Sequence, residues 1–469
     1  MSHLGRAWAL LLAVVLVAPV AAQDVERWRG VVDLPGAGEL EFFVSFIGSG
    51  AEATATMSIP AQAVQDVPVS DVVYSGSSMA FTLATTPAAV FEAERDGETA
   101  AGTLTQGAQY PISLEKLAAG APPGPNRPQT PEGPFPYSSR DVTYTNPAED
   151  NTLAGTLTVP PGTGPYPAAI LITGSGSQDR DETIFAHKPF WVIADYLSRR
   201  GVAVLRVDDR GIGGSDGVRA GLTTADFAGD VAAGVAFLRA QTDIDGDRIG
   251  LIGHSEGGLI APMVAAEDPD IAFLVLLAGT GVDGTQVLRL QNELLLRAAG
   301  ASEDDIASQL ALQAPLWEAM ASGADEEVLD ARLSALLDHQ LLRVPADQRE
   351  QARVSAFATA KAQTSSLWFR FFLNADPAEY LEQVHVPVLA VNGSLDLQVD
   401  ADQNLPAIEA ALARGGNDDV TIQRFDGLNH LFQHATTGLV AEYGVIEETL
   451  APEVLAFVAD WVMQRTAGN

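Results

Sequence analysis

Cysteine is absent from the 469-residue chain. That excludes disulfides, thiolate metal sites and a cysteine nucleophile. Lysine is nearly absent too, at Lys116, Lys188 and Lys361. Lys and Arg together number 27 against 61 Asp and Glu, a formal charge of −34. Such a surface disfavours nucleic acid, anionic membranes and strongly acidic polymers as partners. It suits a saline habitat, where salt screens charge repulsion, and equally a GC-rich genome. Beyond the N-terminus no apolar run reaches the ~20 residues needed to span a bilayer. Residues 1–22 combine a basic start, an apolar run from Ala7 to Ala18 and small residues before Gln23. That pattern predicts a secretory signal peptide, hence export to the periplasm or beyond, with no membrane insertion after cleavage. A chain exported without disulfides must rely on its core, and this one is long enough to bury a large one.

Residues 23–118 predict a small all-β domain. "GELEFFVSFIG", "AEATATMSIP", "SSMAFTLAT" and "GETAAGTLTQG" are strand candidates separated by Gly, Pro, Ser and Asp-Gly turns. They hold no cluster of catalytic side chains. Packing, substrate-surface contact and dimerisation are the roles expected of this domain; few, scattered aromatics speak against carbohydrate binding. Residues 119–136, "AGAPPGPNRPQTPEGPFP", are too rich in Pro and Gly for a helix or a sheet ladder and predict an extended linker. From residue 137 to 469 strands and helices alternate. Leu153–Val159 and Ala168–Thr173 read as the first strands, His187–Arg200 as a helix, Val202–Val207 as a strand, Thr224–Ala240 as a helix and Ala272–Ala278 as a strand. The alternation predicts an α/β unit, a mostly parallel sheet flanked by helices.

One motif in that unit carries chemistry. Gly253-His254-Ser255-Glu256-Gly257 follows a short apolar strand and precedes a helix beginning at Gly258. In that context G-x-S-x-G forms a nucleophile elbow, with Ser255 on a turn too tight for flanking side chains. The alternative is an ordinary βα turn. A serine nucleophile needs a base and a group to orient it, and where the serine sits on a strand–elbow–helix turn the chain order is Ser, acid, His. Asp396 follows the apolar strand Pro387–Gly393, and His430 lies in the loop after the strand Val420–Phe425. Asp400 and Asp426 are rival acids, and His434 is the nearest rival base.

The chain resembles secreted bacterial serine hydrolases of the α/β-hydrolase superfamily. It is similar to esterases that join an N-terminal all-β domain to the catalytic domain. Besides the elbow, "LITGSGSQDRDET" from Leu171, "HKPFWVIADYLSRRGVAVLRVDDRGIGGSDG" from His187, "PVLAVNGSLDLQV" from Pro387 and "FDGLNHLFQ" from Phe425 carry the resemblance. These segments lie within residues 137–466, about two thirds of the chain. Esterases, thioesterases and serine peptidases share such segments, so fold and triad follow more directly than substrate. The resemblance implies an α/β-hydrolase fold with Ser255, Asp396 and His430 as the triad.

It also implies an oxyanion hole built from two backbone N–H groups. One belongs to Glu256, directly after the serine, and the other to Ser175, in the loop after Ile172. Thr173 stands where lipases commonly have His. The stretch 283–375 has no strand pattern and several helical ones, with Ser302-x-x-Asp305 as a capping box. In this superfamily helices inserted here form a cap. Its apolar positions, Leu310, Leu312, Leu316 and Trp317 among them, need a partner surface. Trp368 and Phe372, in the aromatic run that ends it, are candidate substrate-pocket residues.

The acidic run Gln178–Glu182 is read as ion pairs fixing the neighbouring loop, or as a solvated face. Asp208, Asp209 and Arg210 are read as ties between loops. Asp243–Asp247 lacks the spacing of a calcium loop, and Asn392-Gly393-Ser394 is a sequon in an unsuitable place. No metal and no cofactor is expected. The leading expectation is an exported carboxylesterase for small to medium acyl groups, with a small-molecule ester as its partner. A prolyl-oligopeptidase-type peptidase, an acyl-CoA thioesterase and a hydrolase-fold binding protein are the alternatives. The oligomeric state stays open, a dimer included.

Overall fold

The computed structural model describes residues 25–34, 38–50, 53–59, 64–85, 87–118, 125–343, 346 and 349–467. The expected signal peptide and the first part of the expected linker lie outside them. The chain divides into two compact units between Gly124 and Pro125.

The first unit is all β. Its strands are β1 (Val25–Leu34), β2 (Gly38–Ile47), β3 (Thr54–Ile59), β4 (Val64–Pro68), β5 (Ser70–Tyr74), β6 (Ser78–Leu83), β7 (Ala89–Asp96), β8 (Thr99–Gln106) and β9 (Ala108–Lys116). They form one sheet in the order β4-β3-β2-β1-β9-β8-β7-β6-β5, with every pairing antiparallel. The two edge strands are joined through the single residue Val69, whose N–H bonds Ala55 O at 3.1 Å. Gly50 N–H bonds Tyr74 O at 2.7 Å. The sheet therefore curls until its edges approach, and it encloses Trp28, Phe42, Phe46, Met57, Met79, Phe81 and Phe91. Strand β6 shows the cause: Met79, Phe81 and Leu83 alternate inward while their neighbours face out. The strand β7 was not legible as one, because its alternate positions Glu92 and Glu94 are exposed charges.

The second unit carries an eight-stranded sheet. In chain order the elements are β10 (Ser138–Asn146), β11 (Asn151–Val159), β12 (Tyr166–Ile172), α1 (Pro189–Ser198), β13 (Ala203–Val207), α2 (Thr224–Arg239), β14 (Ile244–His254), α3 (Gly257–Glu267) and β15 (Leu274–Leu277). Then come α4 (Gly284–Ala298), α5 (Glu303–Ala321), α6 (Glu326–Gln340), α7 (Arg349–Thr364), α8 (Leu367–Asn374) and α9 (Pro377–Leu381). The unit ends with β16 (Val388–Gly393), α10 (Ala401–Arg414), β17 (Val420–Phe425), α11 (Val440–Tyr443) and α12 (Pro452–Thr466). The sheet order is β10-β11-β13-β12-β14-β15-β16-β17, and all pairs from β13 to β17 are parallel. Its central strands are apolar throughout because both faces are covered. Residues of α2, α3 and α10 pack on one face, and residues of α1 and α12 on the other. This is the α/β-hydrolase architecture.

Strand β10 precedes the first strand expected from the sequence. It pairs only with β11, antiparallel, and most of its side chains are exposed. Only Val142 and Tyr144 of this edge strand pack toward the core, too few to form an apolar run. Residues 125–136 have neither helix nor strand, as their Pro and Gly content implies, yet they are held fast. The buried Arg127 donates to Phe185 O at 2.8 Å, Gly444 O at 2.7 Å and Ile446 O at 2.8 Å. Gln129 Oε1 accepts from Thr449 N at 2.6 Å. Arg127→Ala would strand those carbonyls, at about 1–3 kcal/mol for each one left unpaired. A fall of several degrees in Tm is expected, and an unchanged Tm would show that the Arg127 bonds contribute nothing to stability.

Between β15 and β16 the described residues are helical or irregular. Leu316, Trp317, Met320, Leu329, Leu333, Leu336, Leu337 and Leu373 bury one another, so the apolar stripes of α5 and α6 find their partner surface largely among these helices themselves.

Candidate active site

The turn between β14 and α3 places Ser255 at the carboxyl end of the fifth strand in the sheet. Its φ is +53°, a left-handed conformation that a non-glycine residue holds only when its surroundings impose it. Here the Ser255 N–H is fixed to Leu277 O at 2.9 Å. The two motif glycines are sterically required. A Cβ on Gly253 would collide with Gly257 O, and one on Gly257 with Ile172 O.

Asp396 and His430 follow β16 and β17, two and three strands further along the same sheet edge. Parallel strands end on one side, so all three residues lie at one rim. His430 Nδ1 is 2.7 Å from Asp396 Oδ2, and both residues are buried. The other carboxylate oxygen, Oδ1, accepts the N–H groups of Gln398 at 2.8 Å and Val399 at 2.9 Å. Asp396 is thus fully oriented. The loop bearing His430 is also pinned, because Asn429 Oδ1 accepts from the N–H groups of Leu431 and Gln433. Behind it His187 is buried against Thr449 and the Tyr443 carbonyl, and burial lowers its pKa to about 4.

The rival residues are engaged elsewhere. Asp400 caps α10 by accepting from Gln403 N at 2.8 Å. Asp426 is an exposed partner of Arg424. His434 lies at the surface between Glu448 and Glu453, at 2.9 and 3.1 Å. Asn392 is fully buried, its side chain donating to Val399 O at 2.7 Å, so the sequon cannot be glycosylated in the folded protein.

The loop after β12 lies directly against the serine. A Cβ built on Gly174 would sit 3.2 Å from Ser255 Cβ. Thr173 turns away and donates its hydroxyl to Asp209 at 2.7 Å. Asp209 also accepts from Gln178 N and Arg219, while burial pushes its carboxyl up to about 6. Among the hydrogen bonds of the described residues, no protein acceptor takes the backbone N–H of Ser175 or of Glu256. Both expected donors are therefore uncommitted.

The acidic run fixes this loop. Arg180 makes a two-pronged contact with Asp208, at 3.0 and 2.7 Å. Asp181 pairs with Arg206 and with Lys188. Arg210 similarly grips Asp230. Glu182, which the sequence presents only as the last member of a charge run, is buried and points inward. Its Oε1 accepts the Gly174 N–H at 2.7 Å and lies 2.9 Å from His254 Nδ1.

The Glu256 side chain has its own anchors. Its Oε1 accepts from Thr224 Oγ1 at 2.7 Å and from the Trp368 indole N–H at 2.6 Å. Burial raises its pKa. Trp368 stacks on Phe372, with ring centroids 5.7 Å apart and planes 11° from parallel. The aromatic end of the helical insertion thus touches the residue directly after Ser255. Phe371, from the same run, packs instead with Leu259 and Met263 of α3. Thr224 carried no sequence signal beyond its place at a helix start.

Residues 190–435, more than half of the chain, match the family described as Serine aminopeptidase, S33. Esterase EstD of Thermotoga maritima is 28% identical over 299 residues, covering 64% of this chain and 61% of that protein. The chain therefore spans less than two thirds of that relative's length. The α/β hydrolase GrgF from Penicillium sp. sh18 is 18% identical with a TM-score of 0.44, over 71% of this chain and 100% of that one. The Pyrococcus furiosus esterase Pf2001 is 17% identical with a TM-score of 0.44, over 74% of this chain and 99% of that one. The family match contains Ser255, Asp396 and His430, and the sheet order around them is that of an α/β hydrolase. The chain belongs to the Serine aminopeptidase, S33 family of α/β hydrolases.

Proposed function

We propose that this protein is an exported serine carboxylesterase acting on small to medium acyl esters. The observation that carries the reading is the oriented Asp396–His430 pair on the same rim as a serine held at positive φ. In this reading His430 takes the proton of Ser255 as its oxygen attacks the ester carbonyl. The N–H groups of Glu256 and Ser175 receive the oxyanion. His430 then protonates the leaving alcohol, and a water that it activates hydrolyses the acyl-enzyme. The esterase relative supports the ester class. Export rests on residues 1–22.

The family's description favours one other reading, an aminopeptidase. A chain-length series of chromogenic esters, run beside aminoacyl-arylamides and an acyl-CoA, separates the readings. Turnover confined to the short and medium esters is expected. Faster turnover of the arylamides would replace esterase by peptidase, and of the acyl-CoA by thioesterase.

The helices between β15 and β16 act in this proposal as a cap that sets acyl preference. Trp368 and Phe372 supply its face toward the serine. Trp368→Ala or Phe372→Ala should shift the optimum of the ester series toward longer chains, with discrimination changing by ~1–3 kcal/mol per methylene at most. Ser255 should still react with a fluorophosphonate. An unmoved optimum in both variants would make the two rings core residues and end the selector idea.

A further inference from the structure

Acyl transfer at Ser255 requires three separate segments to be registered on one another. They are the elbow, the loop of Gly174 and Ser175, and the loop of His430. One buried pair of side chains reaches all three. His254 sits inside the elbow, directly before the serine. Its Nδ1 faces Glu182 Oε1 at 2.9 Å, and its Nε2 faces the His430 carbonyl oxygen at 3.1 Å. The same Glu182 oxygen holds the Gly174 N–H at 2.7 Å. His254 and Glu182 are both buried, and Glu182 is held at a φ of +51°.

The protons follow from the partners. A carbonyl oxygen only accepts, so His254 Nε2 bears a proton. Glu182 Oε1 accepts from Gly174, which favours its unprotonated form, and His254 Nδ1 then donates to it as well. A ring donating from both nitrogens is an imidazolium. Burial works against that charge, but the facing Glu182 carboxylate and the His430 carbonyl outweigh it, and the pKa is raised. Both ring nitrogens of His254 and the Glu182 Oε1 are matched with partners, which favours a pair in this buried place.

We infer that Glu182 and His254 form a buried ion pair that clamps the oxyanion loop and the His430 loop onto the nucleophile elbow, and that both are positioning residues for the reaction. The inference rests on Ser255 being the nucleophile. Without the clamp Gly174 N–H loses its acceptor, and the adjoining Ser175 N–H is no longer aimed.

Glu182→Gln is the discriminating change, because one oxygen serves two donors. If the amide oxygen takes that place, a buried imidazolium loses its counter-charge. If the amide nitrogen takes it, two N–H groups oppose each other at Gly174. The expected result is a fall in kcat of about 10- to 100-fold, short of the full loss of an oxyanion donor, with KM changed by less than about threefold. Affinity for a trifluoromethyl ketone, which forms the tetrahedral oxyanion on Ser255, should fall by a similar factor. Affinity for the matching methyl ketone should not. A lowered fraction of folded protein alone would reduce active-site titre and leave these ratios intact, which would overturn the inference. So would a variant with wild-type kcat and trifluoromethyl ketone affinity. Nitrogen-15 NMR of the wild-type protein at pH 6.5 provides a second readout that needs no variant. Both ring nitrogens of His254 should carry protons, and an unprotonated Nδ1 would overturn the pair. Failure of a fluorophosphonate to label Ser255 in the wild type would instead defeat the nucleophile assignment itself.

Discussion

Replacing Ser255 by alanine is expected to abolish ester turnover, a loss on the order of 10⁶-fold, the scale seen when a serine nucleophile is removed. The fold should survive. The change deletes one oxygen from a half-buried side chain, and the backbone bond from residue 255 to Leu277 O does not involve it. Alanine tolerates positive φ about as poorly as serine, so the strain at the elbow is unchanged. Tm should therefore stay within a few degrees, and fluorophosphonate labelling should vanish. Turnover comparable with the wild type in the purified variant would show that another residue attacks the ester.

Asp396→Asn should lower kcat by on the order of 10⁴-fold with little effect on stability. The direction follows from the hydrogen bonds at this side chain. Oδ1 accepts two backbone N–H groups, from Gln398 and Val399, so an asparagine must keep its oxygen there. Its amide nitrogen then replaces Oδ2 and faces His430 Nδ1. An N–H in that place demands a lone pair on Nδ1. The ring proton moves to Nε2, and His430 can no longer accept the proton of Ser255. The loss is one of tautomer, so alternative acids offer no rescue. Asp426→Asn and Asp400→Asn, measured in the same assay, should change kcat by less than tenfold. A nearly silent Asp396→Asn beside a damaging Asp426→Asn would reverse the assignment of the acid.

The site was legible in sequence to the extent that its residues sit at strand ends. Ser255 and Asp396 each follow an apolar strand, His430 follows the mixed strand Val420–Phe425, and a parallel sheet brings such ends to one rim. Their local patterns therefore carried three-dimensional information. Glu182 had no such signal. It belongs to a run of charges in which Arg180 faces Asp208 and Asp181 faces Arg206 and Lys188, and nothing local distinguishes the one that turns inward. Two strands were hard to read for a related reason. The β10 strand sends only Val142 and Tyr144 toward the core, and the interior strand β7 carries exposed Glu92 and Glu94 between its buried positions, so the apolar signal by which strands are read is thin in both.

By itself the sequence determined the architecture and the chemical inventory. Apolar alternation sets strands against helices, because each element must bury a face. The absence of cysteine excludes a thiol nucleophile, and the glycines of the elbow admit the tight turn that holds Ser255. The tertiary structure decided which polar groups meet. It bound Asp396 rather than Asp426 to His430 and joined Trp368 to Glu256 across 112 positions of chain. It also placed Glu182 on both Gly174 and His254. Hydrophobic burial acts on every apolar residue alike and so leaves a periodic trace along the chain. A hydrogen bond between distant side chains depends on the final path of the backbone, and no local pattern records it.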